Sequence, residues 1–389
     1  MRSFLAKKVV DIKPSGIRRF FDIASEIKGC ISLGVGEPDF DTPWHIREEG
    51  IYSLEKGKTI YTSNAGLKDL RIEISKYIER KQGLFYEWDN QVLVTVGGSE
   101  AIDLALRAII EDGDEVIIPT PCYVAYEPCA ILAGAKVKTI SLRNEDDFRL
   151  TPSLLKEAIT PKTKAIIMNF PNNPTGAIME KADLEAIAKV IIENDLLVIS
   201  DEIYSELSYF DKHVSIAEIP GMYERTLIIN GFSKSFSMTG WRLGFVCGPA
   251  LIIKQMTKIH QFCIMCAPTT SQYAAVEALR NGDNDVLYMK ESYNERRRFV
   301  LHRLKEMGLS CFTPKGAFYV FPDIRGFGMS SDEFALKLLE EEKVVVVPGS
   351  AFGESGDGFV RISYAYSIDD LKKALDRVES FVKRLNKIK

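Results

Sequence analysis

The sequence predicts an α/β protein in which a large domain, with a mostly parallel central sheet flanked by helices, is joined by a smaller α+β domain. Two observations support this. Short β-branched runs alternate with segments of helical period, and beyond about residue 290 this rhythm gives way to a charged helix and short strands. A chain of 389 residues is long enough for two to three domains of roughly 150 residues each.

The central sheet is predicted from apolar runs that each end in polar or turn residues. Runs of this kind are typical of strands buried on both faces, as in parallel sheets. They cover residues 91–96, 115–118, 165–168, 196–199, 227–229 and 243–246. After the first run, residues 99–110 have the period of an amphipathic helix, and we expect Ser99 to be its N-cap, following a Gly97-Gly98 turn.

The change of pattern suggests three regions: residues 1–45 as an N-terminal arm and part of the small domain, 46–288 as the large domain, and 289–389 as the small C-terminal domain. The arm is expected to pack against the small domain. That domain should contain a charged helix over 291–307, strands around 317–321 and 344–347, and a closing helix. Ser367 is the expected cap of the closing helix, whose predicted apolar stripe is Leu371, Ala374, Leu375, Val378 and Val382.

Charge and hydropathy exclude several classes of partner. The 50 basic and 54 acidic residues are interspersed and give a net charge of −4, so no basic face suggests nucleic acid. No stretch approaches the ~18 apolar residues of a membrane span, and the first residues lack the apolar core of a signal peptide. We therefore expect a cytoplasmic protein whose partners are small molecules.

The remaining common site types find little support. Cys263 and Cys266 have CxxC spacing but lack a second ligand pair, so no metal site is predicted. The scattered His45, His213, His260 and His302 are interpreted as packing or surface residues. The glycines at 34 and 36 do not begin a dinucleotide-binding Gly-x-Gly-x-x-Gly loop, because Asp39 stands where the third glycine would be.

Three predicted strand ends each deliver a polar group. Lys234 follows the run 227–229, Asp201 follows 196–199, and the Asn-Asn-Pro-Thr-Gly turn containing Asn173 follows 165–168. Taken singly, these could be a surface lysine, a helix cap and an ordinary turn. Together they suggest one ligand-binding edge of an open sheet, where Arg242 adds a planar guanidinium suited to phosphate.

On these motifs, the chain resembles the class I and II aminotransferases of the aspartate aminotransferase superfamily, which have the fold type I of pyridoxal-phosphate (PLP) enzymes. The resemblance covers nearly the whole chain. Its motifs are Gly-Val-Gly-Glu-Pro-Asp-Phe at 34–40, Tyr61 with Gly66-Leu67, Gly-Gly-Ser-Glu at 97–100, Pro-Cys-Tyr at 121–123, the asparagine turn at 172–176, Asp201 with Tyr204, the lysine segment at 230–244, and Val-Arg-Ile-Ser at 360–363.

The resemblance implies pyridoxal 5'-phosphate as the cofactor, with Lys234 as the lysine that carries it as a Schiff base. Asp201 resembles the carboxylate paired with the pyridine nitrogen, which keeps the ring protonated and able to accept electrons. Tyr204 and Asn173 resemble the pair that hydrogen-bonds the phenolic oxygen. Tyr123 resembles the aromatic residue that stacks on the ring.

For the phosphate, the resemblance implies the backbone at Gly98, Ser99 and Glu100, at a helix start that favours anions, together with Arg242 and Ser233. Tyr61 resembles a tyrosine that reaches the phosphate of the neighbouring subunit, which implies a homodimer with shared active sites. Arg361 resembles the arginine that binds the substrate α-carboxylate, assisted by Asn173 and the backbone at Gly36.

Two departures bear on the substrate. Gly231 stands three positions before Lys234, where some relatives have a residue with a hydroxyl group. Ser99 and Ile17 replace the lysine and hydroxyl residue that some aspartate-preferring relatives carry. We therefore expect an aromatic, aliphatic or broad range of donors rather than strict aspartate specificity, with Arg18 and Arg19 as candidates for contacting an acidic side chain.

The predicted reaction is ping-pong transfer of the amino group of an L-amino acid to a 2-oxo acid, with 2-oxoglutarate as the expected acceptor. The alternative is a PLP-dependent carbon-sulfur β-lyase on the same fold, which shares the carbanion and differs in what leaves Cβ. A cofactor-sensing domain of a transcription regulator is a weaker alternative, because the ~30 residues before the first motif are too few for a DNA-binding module.

Overall fold

The structure is a computed structural model that describes residues 4–12, 14, 16 and 27–388. Within these ranges it has twelve α-helices. In chain order they are α1 (Lys7–Val10), α2 (Trp44–Glu55), α3 (Lys68–Gln82), α4 (Gly97–Ile109), α5 (Tyr126–Ala133), α6 (Pro152–Ala158), α7 (Lys181–Glu193), α8 (Ala250–Cys263), α9 (Thr269–Asn281), α10 (Asp283–Glu306), α11 (Ser331–Glu342) and α12 (Ile368–Ile388).

The strands form one large sheet and two small ones. The large sheet has the order β2-β8-β7-β6-β5-β3-β4, and its members are β2 (Val92–Thr95), β3 (Glu115–Thr120), β4 (Lys136–Ser141), β5 (Thr163–Asn169), β6 (Leu197–Asp201), β7 (Thr226–Gly231) and β8 (Gly244–Cys247). The small sheets contain β1 (Ile31–Ser32) with β10 (Val344–Val345), and β9 (Tyr319–Val320), β11 (Val347–Pro348) and β12 (Val360–Ser363).

The large sheet is parallel except at β8, which runs antiparallel to both of its neighbours. Asn169 pairs with Asp201 across β5 and β6, and Asp201 pairs with Ile229 across β6 and β7. The carboxyl ends of these three strands therefore lie side by side. The fold class predicted from the sequence is confirmed, and the predicted convergence of polar strand ends follows from this register.

One strand of the large sheet was not predicted. β4 is the edge strand beyond β3, and its side chains are mostly exposed, including those of Lys136 and Lys138. An edge strand pairs on one side only, so it does not need the continuous apolar run that marks a central strand. The rule that identified the six buried strands could not find this one.

The start of α4 differs from the prediction. The helix begins at Gly97, with Val96 as its N-cap, so Ser99 lies inside the first turn and its side chain caps nothing. The physical reason is Gly97, whose φ of +78° allows a sharp exit from β2 that other residues rarely adopt. The two glycines are therefore part of the helix start rather than a turn before it.

The C-terminal elements follow the predicted order with changed lengths. The charged helix α10 is longer at its start than expected, and β9 is shorter than the run at 317–321. In the closing helix α12, the hydroxyl of Ser367 accepts from the backbone N–H of Asp370 at 3.1 Å, as predicted for a cap. The predicted apolar stripe from Leu371 to Val382 is buried.

The N-terminal segment makes contacts with both parts of the chain. β1 pairs in parallel with β10 of the C-terminal region, in line with the expected packing of the arm. Lys8 of α1 instead donates to the carbonyl of Leu132 in α5, at 2.8 Å. The division into domains at residues 45 and 288 stays a prediction.

Across the described part of the chain, no helix combines the length and the hydropathy required to span a membrane.

Candidate active site

A cleft of about 340 Å³ opens at the carboxyl edge of the large sheet, beside the ends of β5, β6 and β7. Open α/β sheets bind their ligands at this edge. Every site residue predicted from the sequence lines the cleft except Glu100 and Tyr61. The strand ends and the 230–244 segment thus bring together side chains that are far apart in sequence.

Lys234 lies just past the end of β7. Its ammonium donates a hydrogen bond to the carbonyl oxygen of Gly36 at 2.6 Å and lies 6.0 Å from the ring centre of Tyr204. Removal from water lowers the pKa of Lys234 to about 8, and the positive charges of Arg361 and Arg242 act in the same direction, partly offset by Glu37. A lysine in these surroundings is more readily neutral, and hence nucleophilic, than one at the surface.

Asp201 ends β6 and is buried, with 5% of its surface exposed. Burial raises the pKa of its carboxyl to about 6, although hydrogen bonds from Tyr126 and the backbone of Ile203 favour the charged form. The Tyr126 hydroxyl donates to Asp201 Oδ2 at 2.6 Å, and the Ile203 N–H donates to Oδ1 at 3.1 Å. These two contacts orient the carboxylate at the floor of the cleft.

Two tyrosines in the cleft were missed by sequence reasoning. Tyr126 binds Asp201, and the Tyr319 hydroxyl lies 2.7 Å from that of Tyr204. A Cβ at Gly36 would stand 2.4 Å from the Tyr319 hydroxyl, so the residue there must be glycine for Tyr319 to occupy this position. A single buried tyrosine leaves no pattern in the local sequence. The roles of these two become visible only when the fold brings distant elements together.

The asparagine turn after β5 is connected to the strand ends through Asn169. The Asn169 side chain donates to the carbonyl of Asp201 at 3.2 Å and accepts from the N–H of Asn173 at 3.1 Å. The side-chain oxygen of Asn173 in turn accepts from Arg361 at 2.8 Å. The turn therefore fixes Arg361 relative to Asp201.

Arg361, on β12, is a buried cation, with 3% of its surface exposed. Besides Asn173 it donates to the carbonyl of Gly34 at 2.5 Å, and its guanidinium lies 4.5 Å from the ring centre of Tyr319. Its Nε has no hydrogen-bond partner, and none of the ion pairs found among the described residues involves it. A buried charge supported only by neutral groups suits an anionic ligand.

The other end of the cleft is formed by the start of α4. The Arg242 guanidinium comes within 3.0 Å of where a Cβ of Gly97 would be, and a Cβ at Gly244 would stand 2.6 Å from the carbonyl carbon of Gly97. Glycine at both positions leaves the first turn of α4 open beside Arg242. Free amides at a helix start next to a guanidinium are well suited to a phosphate.

Gly231 ends β7, and Ser233 immediately precedes Lys234. A Cβ at Gly231 would be 3.0 Å from the backbone of Gly244, so a side chain at this position would fit only tightly. Ser233 lines the cleft, and its contact with a phosphate stays a prediction.

Two predicted residues lie outside the cleft. The side chain of Glu100 binds the N–H of Val96 and lies 2.9 Å from His260 Nδ1, so it stabilises the start of α4. Tyr61 is 78% exposed. Three further candidates, Ile17, Arg18 and Arg19, lie outside the described residues.

Among the residues that the structure describes, no cluster of side chains suits a metal ion.

The sequence matches a known protein family over most of its length. The family model described as "Aminotransferase class I and II" matches residues 28–378. The chain is 52% identical to YugH, named as an aminotransferase, from Bacillus subtilis (strain 168), over 98% of this chain and 99% of that one. It is 48% identical to an aspartate aminotransferase of Pyrococcus abyssi, over 96% of each chain.

Among solved structures, the chain is similar to an aromatic aminotransferase from Pyrococcus horikoshii OT3. The TM-score is 0.90 and the sequence identity 46%, with 94% of this chain and 99% of that chain covered. The similarity thus extends through the sheet and the C-terminal elements alike.

Proposed function

The chain belongs to the class I and II aminotransferases, and from this we propose that Lys234 binds pyridoxal 5'-phosphate and that the enzyme moves the amino group of an L-amino acid to a 2-oxo acid. The observation that carries the proposal is that a lysine of lowered pKa and a buried arginine without a carboxylate partner among the described residues share one cleft. The first suits a covalent cofactor and the second suits the α-carboxylate of an amino acid.

The residues of the cleft fit the cofactor at three points. Arg242 and the open first turn of α4 suit its phosphate, Asp201 suits its ring nitrogen, and Lys234 suits its aldehyde carbon. Tyr123 is available to stack on the ring, and Ser233 to contact the phosphate. When bound, pyridoxal phosphate supplies a ring that takes up the electrons left when the donor Cα loses its proton.

Asp201 and Tyr204 would set the charge of the ring. A carboxylate held by Tyr126 and Ile203 keeps a proton on a ring nitrogen placed against it. Tyr204, whose hydroxyl is already paired with that of Tyr319, would donate to the phenolic oxygen together with Asn173. Both contacts favour withdrawal of electrons from the donor.

Lys234 would also move the proton. The Lys234 amine would be the base that takes up the proton lost by the donor Cα and holds it inside the cleft, away from bulk solvent. Its lowered pKa, about 8, makes the neutral amine accessible near physiological pH.

Arg361 would hold the donor by its α-carboxylate. Its contacts with Asn173 and Gly34 fix the guanidinium, and Nε remains without a hydrogen-bond partner. A two-point contact with a carboxylate would orient the Cα–H bond toward Lys234 and away from the bulk solvent. The backbone at Gly36, whose carbonyl contacts Lys234, would lie beside it.

The roles of the cations in the cleft do not require a distal carboxylate on the donor. The basic residues that line it, within the described chain, are Lys234, Arg242 and Arg361, and each has a role above. We therefore propose aromatic, aliphatic or broad donors. The similar proteins carry both aspartate and aromatic names.

The acceptor is proposed to be 2-oxoglutarate in a ping-pong sequence. Its distal carboxylate would then need a contact beyond those three cations, for which Arg18 or Arg19 is a candidate. All the relatives compared above are named aminotransferases, and no feature of the cleft favours the carbon-sulfur β-lyase.

A homodimer would complete the site. Tyr61 is exposed, and so are Trp44, Ile60 and Phe262, large apolar side chains that a monomer would leave in water. The segment carrying Tyr61 is fixed to α9 by a hydrogen bond of 2.8 Å from Thr269 to the carbonyl of Ile60. We propose that Tyr61 reaches the phosphate in the partner subunit's cleft.

The experiment is a half-reaction. The cofactor-loaded enzyme is mixed with one amino acid at a time without any oxo acid, and both the absorbance spectrum and the released 2-oxo acid are followed. We expect one 2-oxo acid per site, with phenylalanine or leucine reacting at least as fast as aspartate, and recovery of the spectrum on addition of 2-oxoglutarate. Continuous release of ammonia and pyruvate from cystathionine without an acceptor would favour the lyase instead.

A further inference from the structure

Glu202, the residue after Asp201, is a second buried carboxylate that does not line the cleft. Its exposed fraction is 1%, and neighbouring residues at the end of a strand project to opposite faces of the sheet. Asp201 therefore faces the cleft, whereas Glu202 lies behind it. Nothing in the reaction described above uses this residue.

Four donors surround the Glu202 carboxylate. Ser200 and Ser215 donate to Oε1 at 2.9 and 2.6 Å. Gln82, at the end of α3, donates to Oε2 at 2.6 Å, and His213 Nε2 lies 3.0 Å from the same oxygen. Each oxygen of the carboxylate thus has two hydrogen-bond partners.

These partners keep Glu202 charged. Burial alone would raise its pKa, but the His213 charge and the hydrogen bonds from His213, Ser215 and Ser200 outweigh it, so the pKa of Glu202 lies below its ordinary value. A neutral glutamine could satisfy the same groups at a smaller desolvation cost, since a buried ion costs several kcal/mol unless compensated. The retained charge therefore needs an explanation other than hydrogen bonding.

The charge acts on Asp201. The negative charge of Glu202 is one of the influences that raise the pKa of Asp201, after burial, and it opposes the effect of Lys234. The other titratable groups whose charge couples to Glu202 are His213, Glu218, Tyr86 and Cys247. Of these, His213 is the one that contacts the carboxylate directly.

We infer that Glu202 is a positioning residue whose fixed negative charge, applied from behind Asp201, strengthens the hold of Asp201 on the proton of a bound ring nitrogen. This inference rests on the proposed cofactor site. It requires no movement of the protein, because the charge acts through space across the end of β6.

The test compares two variants of the cofactor-loaded enzyme. Glu202→Gln keeps the shape and removes the charge, whereas Glu202→Asp keeps the charge and shortens the side chain. Ser200→Ala, which removes one donor and leaves the carboxylate, is the structural control. For each protein the visible cofactor spectrum is titrated against pH, and kcat and KM are measured.

We expect the spectral transition of Glu202→Gln to move to lower pH by roughly one unit, since removal of a nearby negative charge makes a cationic ring less stable. Glu202→Asp and Ser200→Ala should stay within about 0.3 unit of the wild type, which is the mark of a charge effect. In Glu202→Gln, kcat should fall about three- to tenfold with KM little changed, because Arg361 is untouched.

An unshifted Glu202→Gln, or a Glu202→Asp shifted as far as Glu202→Gln, would overturn the inference. A Glu202→Gln protein that fails to fold would overturn it too, because the hydroxyls of Ser200 and Ser215 can accept from an amide nitrogen at the position of Oε1, so a pure charge role leaves the fold intact. A wild-type protein that takes up no cofactor would instead refute the proposed function.

Discussion

Arg361 shows most clearly how single side chains define the site. A buried guanidinium held by Asn173, Gly34 and an aromatic face, without an acidic partner in the described chain, is complementary to a planar carboxylate. Lysine at this position would keep the charge but lose the two-point contact.

For Arg361→Lys we predict a KM for the donor amino acid that is roughly 10- to 100-fold higher, corresponding to about 1.4–2.8 kcal/mol of lost binding. The cofactor spectrum should be unchanged. Steady-state kinetics give the answer, with exposed Arg384→Lys as the matched control. A KM equal to that of the wild type would show that the donor carboxylate binds elsewhere.

The pKa of Lys234 predicts the pH dependence of cofactor uptake. A pKa lowered to about 8 means that the neutral amine dominates above that pH and the ammonium below it. The rate at which the apoenzyme binds cofactor covalently should therefore fall about tenfold per pH unit below 8 and level off above it. Stopped-flow absorbance measures this, and a rate still rising toward pH 10 would mean that Lys234 has an ordinary pKa.

At the scale of elements, the approach of α4 to β8 depends on glycine. A Cβ at Gly244 would stand 2.6 Å from the carbonyl carbon of Gly97 and 2.7 Å from the N of Gly98, both backbone atoms that cannot turn aside. At Gly240, four residues earlier, a Cβ would meet no atom within 4 Å.

Gly244→Ala is therefore predicted to weaken cofactor binding at least about tenfold and to destabilise the fold by about 1–3 kcal/mol, as overpacking does. Gly240→Ala should change neither quantity. Fluorescence titration of the apoenzyme with cofactor, together with thermal unfolding, compares the two. Equal behaviour of both variants would show that the start of α4 is not the phosphate site.

The element scale also shows why some of the structure could not be predicted. Six strands of the large sheet were found because burial leaves an apolar run, even in the edge strand β2, whereas the edge strand β4, with exposed Lys136 and Lys138, leaves none. Ser99 has the right chemistry for a cap, but the cap position was decided by the left-handed backbone of Gly97.

The site was predictable to the extent that its residues lie in recognisable local motifs. Lys234, Asp201 and Arg361 each stand in such a motif, and the structure brings all three to one cleft. Tyr126 and Tyr319 were missed because their roles arise only when distant elements pair. Glu202 was equally invisible, since three of its four partners come from α3 and from the segment after β6.

At the scale of the whole molecule, the exposed Tyr61 leads to a prediction about assembly. If Tyr61 serves the partner subunit's cleft, inactive Tyr61→Ala and inactive Lys234→Ala proteins should restore activity when mixed and allowed to exchange subunits. One site of the mixed dimer then has both native residues, so it should approach the activity of one wild-type site. Absence of recovery in a sample shown by mass to contain mixed dimers would place Tyr61 in its own subunit's site or outside both.

The central claim, that Lys234 binds the cofactor, is tested most directly by fixing the cofactor to the protein. The loaded enzyme is reduced with borohydride, digested and mapped by mass spectrometry, alongside Lys234→Ala and a control at the exposed Lys254, Lys254→Ala. We predict that the cofactor mass appears on the peptide containing Lys234 in the wild type and in the control, and that Lys234→Ala neither carries it nor transfers amino groups. A label on another lysine, or normal turnover by Lys234→Ala, would contradict the account.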